Sequence, residues 1–252
     1  MRILITNDDG IQAEGIKALY QSFQGLGEVW VVAPSAERSG VSHAFTIRDP
    51  LRVDFADWVK DKRGYGVDGM PVDAVKLAIR SILPGPPDLV ISGINSGENT
   101  GVDLLYSGTV GAAREGAVFG IPSLAISLTS KKYPDYSVAA RFARTLAEKI
   151  FEKGVPKGIM LNVNVPAIGS EQIKGVRVTR QAESMYVETV KRKDDQKGGD
   201  CYWVEYKKIL TGEYVGTDIE AIDENYISIT PVHFQLTEKK LIHTIENWNV
   251  QP

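Results

Sequence analysis

The stretch Met1-Arg2-Ile3-Leu4-Ile5-Thr6-Asn7-Asp8-Asp9-Gly10 decides how the rest of the chain is read. Ile3-Leu4-Ile5 is a short, continuous apolar run that stops in two adjacent carboxylates and a glycine, and from about Ala13 to Phe23 apolar residues recur at helical spacing. A continuous run suits a strand buried on both faces, as in a parallel sheet covered by helices. Asp8 and Asp9 then stand at the strand's C-terminal edge, where open α/β sheets bind ligands. Consecutive carboxylates repel wherever they converge, so the pair calls for a cation. A hard divalent ion with oxygen ligands, Mg²⁺ or Mn²⁺, is the natural candidate, and Gly10 allows the turn that bends both side chains toward it. The same letters also suit a strand end that caps the next helix.

Working outward, Ile16, Leu19, Tyr20 and Phe23 keep helical spacing, Gly25 and Gly27 break it, and Val29 to Ala33 reads as a second buried strand, completing a βαβ unit. That strand opens into the polar loop Pro34 to His43, whose Ser39 and Gly40 emerge on the same sheet edge as Asp8 and Asp9; hydroxyls and bare amides of this kind suit a bound ion. Phe45-Thr46-Ile47 and Leu51 to Phe55 alternate as short strands of an antiparallel excursion, and Pro71 starts a helix running to Ile82 with Asp73 in its first turn. Pro87 to Ser92 is a β-branched strand followed by a loop with glycines at 93, 97 and 101 and with Asn95 and Asn99 between them. It lacks the Gly-Lys-Ser/Thr of a Walker loop and the helix that opens a dinucleotide fingerprint. Ser107-Gly108-Thr109 precedes a small-residue helix to about Phe119, a start that offers free N–H groups to an anion.

Strand Pro122–Leu128, helix Ser137–Phe151 and strand Ile159–Pro166 continue the alternation, which predicts a doubly wound, mostly parallel Rossmann-like α/β sheet. Past Val176 the character changes to a long hairpin arm around Thr179 to Leu210 with a charged, glycine-rich tip at Arg192 to Asp200. A last strand, Asn225–Pro231, and a terminal helix from Thr237 follow. The expected organisation is a core over residues 1–175 carrying the metal site and a C-terminal extension over 176–252 serving oligomerisation, not an independent domain.

The whole-chain figures narrow the class. With 252 residues, 43% apolar and 24% charged, the chain can bury a sizeable core. A net charge of −3 gives no footprint for duplex nucleic acid or an anionic membrane, so phosphate must be gripped locally. One cysteine, Cys201, and three scattered histidines leave neither a disulfide framework nor a structural zinc site to read. The apolar N-terminal run breaks at Asn7 and no apolar run approaches membrane-span length, which points to a cytoplasmic address.

Asp8, Asp9, Ser39, Asn95 and Ser107 to Thr109 all follow buried strands, so a parallel sheet brings them to one edge. Two carboxylates, a hydroxyl and an amide oxygen make an all-oxygen octahedral-type site, with the helix start at Gly108 holding a phosphoryl group beside it. The motifs ILITNDDGIQAEGI, VVAPSAERSGVSHAFT, VDGMPVDAVKLA, PDLVISGINSGENTGVDLLYSGTVGAAREGAVFGIPSLAIS, LNVNVP and ITPVHFQLT together resemble the SurE family of stationary-phase survival proteins over nearly the whole chain. The resemblance implies one divalent cation held by Asp8, Asp9, Ser39 and Asn95 and phosphate contacts from Gly40, Ser107, Gly108 and Thr109. It implies hydrolysis of nucleoside 5′- and 3′-monophosphates, and a homodimer or homotetramer that exchanges C-terminal segments. Asp8, Asp9 and Asn95 are the expected catalytic residues, a metal-activated water the attacking group, and Asp8 a ligand that also serves as general base. A covalent Asp8 nucleophile and a nucleotide sensor without turnover are the competing readings, and the Asp-x-Asp pattern of aspartyl phosphatases is absent. Met70 departs from the small polar residue of the family pattern, and His43 is a candidate for contact with a leaving group.

Overall fold

The computed structural model describes residues 1–130, 135–194, 200–248 and 250–251. Strand β1 (Arg2–Thr6) is an interior strand, fourth in order, of a nine-stranded sheet. On one side it pairs in parallel with β2 (Glu28–Pro34), which pairs in parallel with β4 (Gly64–Val67); the three-residue β3 (Val53–Phe55) closes that edge antiparallel to β4. On the other side stand β5 (Leu89–Ser96), β6 (Ser123–Leu128) and β7 (Ile159–Val165), all parallel. The chain therefore turns from one half of the sheet to the other between β1 and β5, which makes their C-terminal ends the topological switch point.

The side-chain alternation of β1 assigns its faces. Ile3 and Ile5 are fully buried in the layer formed with helices α1 (Glu14–Ser22) and α5 (Ser137–Lys153), while Leu4 is fully buried on the opposite face with α2 (Pro71–Leu77). Each such aliphatic contributes on the order of 2 kcal/mol in burial. Helix α4 (Gly108–Val118) lies on that second face and approaches the sheet closely because its contact positions are small: a Cβ on Gly116 would collide with Ser123 and with Val90.

Local details depart from the sequence-based expectation in three places. Phe45-Thr46-Ile47 is not a strand, because the Thr46 N–H and hydroxyl donate to the Asp73 carboxylate at 2.9 and 2.7 Å instead of to a neighbouring strand. Strand β5 runs on to Ser96, with a register shift against β6 between Ser92 and Asn95, so Asn95 sits in a bulged strand end rather than in a free loop. Helix α2 stops at Leu77 and closes in a wide π turn, Ala78–Ile82.

Beyond β7 the described chain adds β8 (Val176–Val178), the antiparallel arm of β9 (Ser184–Asp194) and β10 (Asp200–Leu210), short helix α6 (Asp218–Asp223), strand β11 (Ile227–His233) and terminal helix α7 (Ile242–Glu246). Strand β11 pairs antiparallel to β7 and parallel to β8, so both extend the main sheet, whereas β9 and β10 form a sheet of their own. The expected tip of the arm falls partly on residues 195–199, outside the described residues. No helix among the described residues is long and apolar enough to cross a membrane.

Candidate active site

The turn after β1 is built by Asn7, whose side chain is fully buried. Its Nδ2 donates to the Gly10 carbonyl at 2.9 Å, and its Oδ1 accepts from the Gly10 N–H at 3.2 Å. Gly10 takes φ +98°, and a Cβ there would press on the Ala36 backbone. The turn and the loop after β2 are stitched together by backbone: Arg38 N–H donates to the Asp8 carbonyl at 2.7 Å, and Ile11 N–H to that of Pro34 at 2.8 Å. Sequence and local geometry thus present Asp8 and Asp9 beside the Ser35–Gly40 loop.

Asp8 is 3% exposed and leans on the start of α4, where the Thr109 hydroxyl and N–H both donate to its carboxylate. Burial raises its pKa, against the pull of those donors. Asp9 is pushed up to about 6, by burial first and by the neighbouring Asp8 charge second, while the Ser96 N–H opposes the shift. Among the described residues neither carboxylate forms an ion pair, and Arg38, whose backbone N–H donates to the Asp8 carbonyl, turns its guanidinium to Asp68 at 3.5 Å; both carboxylates also feel the charge of Glu37, another acid.

The pair faces a cleft of about 760 Å³ whose walls also include Ser39, Gly40, Asn95, Asn99 and Ser107. Its ionisable lining is lopsided: Asp8, Asp9, Glu37, Glu98 and Asp103 against Lys208. Lys208 Nζ is already committed, 2.6 Å from Asp103 Oδ2 and 2.8 Å from Thr100 Oγ1. A phosphate dianion entering this cleft meets net negative charge unless a cation accompanies it. The donor set fits a hard divalent ion. Asn95 Nδ2 donates to the Gly97 carbonyl at 2.8 Å, which fixes the amide and leaves Oδ1 as its ligating atom, and Ser39 is exposed with its hydroxyl donating to Glu37 at 2.9 Å. Among the described residues no cluster of three or more Asp, Glu, His or Cys side chains is placed to share an ion, so the two aspartates need neutral oxygens such as these to complete a shell.

Of the residues singled out from the sequence, Asp8, Asp9, Ser39, Gly40, Asn95 and Ser107 line the cleft. Gly108 and Thr109 lie behind Asp8: Thr109 is fully buried with its hydroxyl on the aspartate, and Ser107 Oγ caps α4 by accepting from Val110 N–H at 3.1 Å. His43 is turned away, with Nε2 2.7 Å from Glu115 Oε2 on α4, and does not line the cleft. Burial raises the Glu115 pKa, but His43 and Lys76 outweigh it and the net shift is downward. Met70 is the N-cap of α2, also off the cleft, and Asp73 Oδ2 accepts its N–H at 2.9 Å.

The glycine-rich segment after β5 is held by buried amides. Asn99 N–H donates to Asn164 Oδ1 at 2.8 Å, the Asn162 and Asn164 side chains donate to the Asn99 carbonyl at 2.9 and 3.0 Å, and Asn99 Nδ2 donates to Ser127 Oγ at 2.8 Å. Asp218, fully buried on α6, accepts from the N–H groups of Gly101 and Ala182, each at 2.9 Å, and so ties this segment to the root of the arm. Sequence reasoning missed Tyr106, Tyr186, Tyr206 and Lys208 on the cleft wall. The last three come from β9 and β10, about a hundred residues further along the chain, and no local pattern announces where that arm folds back.

The comparisons with known proteins agree with this geometry. The family model described as Survival protein SurE matches residues 3–188. A protein named 5′-nucleotidase SurE from Heliobacterium modesticaldum is 45% identical over 251 residues, covering 98% of this chain and 92% of that one. Its namesake from Symbiobacterium thermophilum is 47% identical over 254 residues, covering 98% of each. A crystal structure of the SurE protein from Aquifex aeolicus superposes with a TM-score of 0.86 at 39% identity, covering 99% of this chain and all of that one. With the family pattern spanning the acidic turn, the Ser39 loop, the Asn95 strand end and the start of α4, the chain belongs to the SurE family.

Proposed function

We propose that this chain is a metal-dependent phosphomonoesterase that hydrolyses nucleoside 5′- and 3′-monophosphates to nucleoside and phosphate, using one Mg²⁺ or Mn²⁺ per chain. The observation that carries the reading is the Asp8–Asp9 pair: two carboxylates set side by side at the sheet's switch point, with burial opposing the charge of both, the Asp8 charge opposing that of Asp9, and neither in an ion pair among the described residues. The relatives' name, 5′-nucleotidase SurE, supports the substrate class.

Asp8, Asp9, Ser39 and Asn95 would hold the ion, which when bound supplies a Lewis acid for the phosphoryl oxygens and lowers the pKa of water at the site. Asp8, clamped by Thr109, is the fixed anchor of this set. Its engaged oxygen makes it a poor nucleophile, which favours direct attack by water over a phosphoaspartate. Asp9 is less buried and not gripped by Thr109, so we assign to it, rather than to Asp8 as expected from the sequence, the orienting of water and the acceptance of its proton. Gly40 and Ser107 flank the pair and supply donors to the phosphoryl group, and the bulged end of β5 fixes the Asn95 amide. Phosphoryl transfer needs mainly this positioning and charge neutralisation.

The apolar surface of the arm and of the C-terminal segment supports assembly. Val190, Tyr202 and Trp203 on the arm and Leu236, Ile242 and Trp248 near the C-terminus are all exposed. We read them as the surfaces through which a homodimer or homotetramer exchanges C-terminal segments. Phosphate release from AMP with added Mn²⁺ tests the activity. Turnover supports a nucleotidase; tight AMP binding with no release under any divalent ion would make the chain a sensor.

A further inference from the structure

We infer that Tyr106, Tyr186 and Tyr206 form an aromatic platform that stacks on the nucleobase, and so govern affinity for nucleotides over simpler phosphate esters; this rests on the reading of the cleft as a nucleotidase site. All three rings line the cavity that contains Asp8 and Asp9. Tyr106, at the end of α3 (Asp103–Tyr106), and Tyr186 on β9 have ring centroids 5.8 Å apart; Tyr186 and Tyr206 on β10 are also 5.8 Å apart, nearly edge to face. The platform is preorganised. The Tyr186 hydroxyl donates to Asp103, a contact that joins burial in raising the tyrosine pKa. Asp103 is itself gripped by Lys208 Nζ at 2.6 Å and by the Thr100 N–H at 3.2 Å.

The neighbouring rings remain open to the cleft, with Tyr106 51% and Tyr206 63% exposed. A cleft of about 760 Å³ is far larger than a phosphoryl group requires. Its acidic floor takes the ion and the phosphate, and its aromatic wall supplies the apolar surface that a flat heterocycle needs. Because the Tyr186 hydroxyl is spent on Asp103, this ring addresses the base through its face rather than through hydrogen bonds. Every base has such a face, so the platform accepts purines and pyrimidines and favours the larger purine ring. The base is thereby held by the arm while the phosphate is held by the sheet edge.

The test compares AMP with ribose 5-phosphate, which carries the same phosphate and sugar but no base, in the parent and in Tyr206→Leu, an exposed position whose replacement spares the core. Loss of one stacking partner raises the KM for AMP about tenfold with little change in kcat. The preference for AMP over ribose 5-phosphate falls by the same factor, and Tyr206→Phe, which keeps the ring, rescues it. Equal losses on both substrates, or an unchanged AMP preference, would overturn the platform. If the parent hydrolyses neither ester, the nucleotidase reading fails by itself, and calorimetric titration with AMP then decides. Weaker AMP binding by Tyr206→Leu than by the parent upholds the platform; equal binding, or none by either protein, overturns it.

Discussion

Replacing Gly108 by alanine tests whether α4 is a rigid backstop for Asp8. A Cβ at this position would lie 2.8 Å from Asp8 Cβ, 2.9 Å from Asp8 Oδ2 and 3.2 Å from the Arg38 carbonyl oxygen. Carbon atoms in contact prefer about 3.5–4.0 Å, so the overlap with Asp8 is of the order of 1 Å. Asp8 has nowhere to retreat: it is 3% exposed, bound by the Thr109 hydroxyl, and its carbonyl accepts the Arg38 N–H at 2.7 Å. Overpacking of this kind costs about 1–3 kcal/mol, whereas glycine to alanine in an unobstructed helix stabilises by about 1 kcal/mol. The net expectation is a loss of roughly 0–2 kcal/mol, at most about 4–8 °C in Tm for a chain of this size. Function should suffer far more, since a misplacement of about 1 Å in a catalytic group can cost on the order of 100-fold in rate. Thermal unfolding and initial rates of phosphate release, measured on the same preparation, separate the two effects. A Gly108→Ala protein with raised Tm and the parent's rate would refute the backstop.

Three further outcomes are expected. The folded-state pKa of Asp9, about 6, lies above its ordinary value of 3.8, so between about pH 4 and 6 the metal-free native state holds a proton that the unfolded state has released. Asp9 therefore takes stability away as pH rises through that window, and Asp9→Asn should flatten this part of the Tm–pH curve recorded in chelator; an identical curve would contradict the assignment. Asp218→Ala strands the N–H groups of Gly101, Ala182 and Ile219, which should cost about 3 kcal/mol by denaturant unfolding, and a change under 0.5 kcal/mol would show that the tie between arm and cleft is slack. Deleting residues 185–201 removes the exposed Met185, Val187 and Val190 and unpairs the strand that carries Tyr202 and Trp203, which should lower the mass measured by light scattering, whereas an unchanged mass would place the subunit interface elsewhere.

How much of this was legible in the sequence depends on the range of the interaction concerned. The switch point could be read from Ile3-Leu4-Ile5 and its two aspartates, because buried parallel strands have a compositional signature and the strand order follows from βαβ handedness and continuity. The convergence of Ser39, Asn95 and Ser107 followed from the same rule. The work of Thr109 did not: a Ser-Gly-Thr helix start looks the same whether its free N–H groups face a phosphate or, as here, a neighbouring aspartate. Phe45-Thr46-Ile47 was misread as a strand because alternation cannot reveal that Asp73, 27 residues on, captures the Thr46 N–H. The tyrosine wall and Lys208 were invisible for the same reason, since their place depends on how the arm returns to the cleft through Asp218 and Asp103. The asparagines of LNVNVP carried a signal that was left unused. Amides at 162 and 164 in an otherwise apolar strand needed buried partners, and Asn99 is that partner.

The central claim is that the carboxylates ending β1 hold a divalent cation. Calorimetric titration of the metal-stripped protein with Mn²⁺ at pH 7.5 tests it most directly, run in parallel on Asp9→Ala. The expected result is one saturable site per chain in the parent and no measurable site in the variant, because the substitution removes half of the pair's negative charge. Unchanged Mn²⁺ affinity in Asp9→Ala, or no binding by the parent, would contradict it.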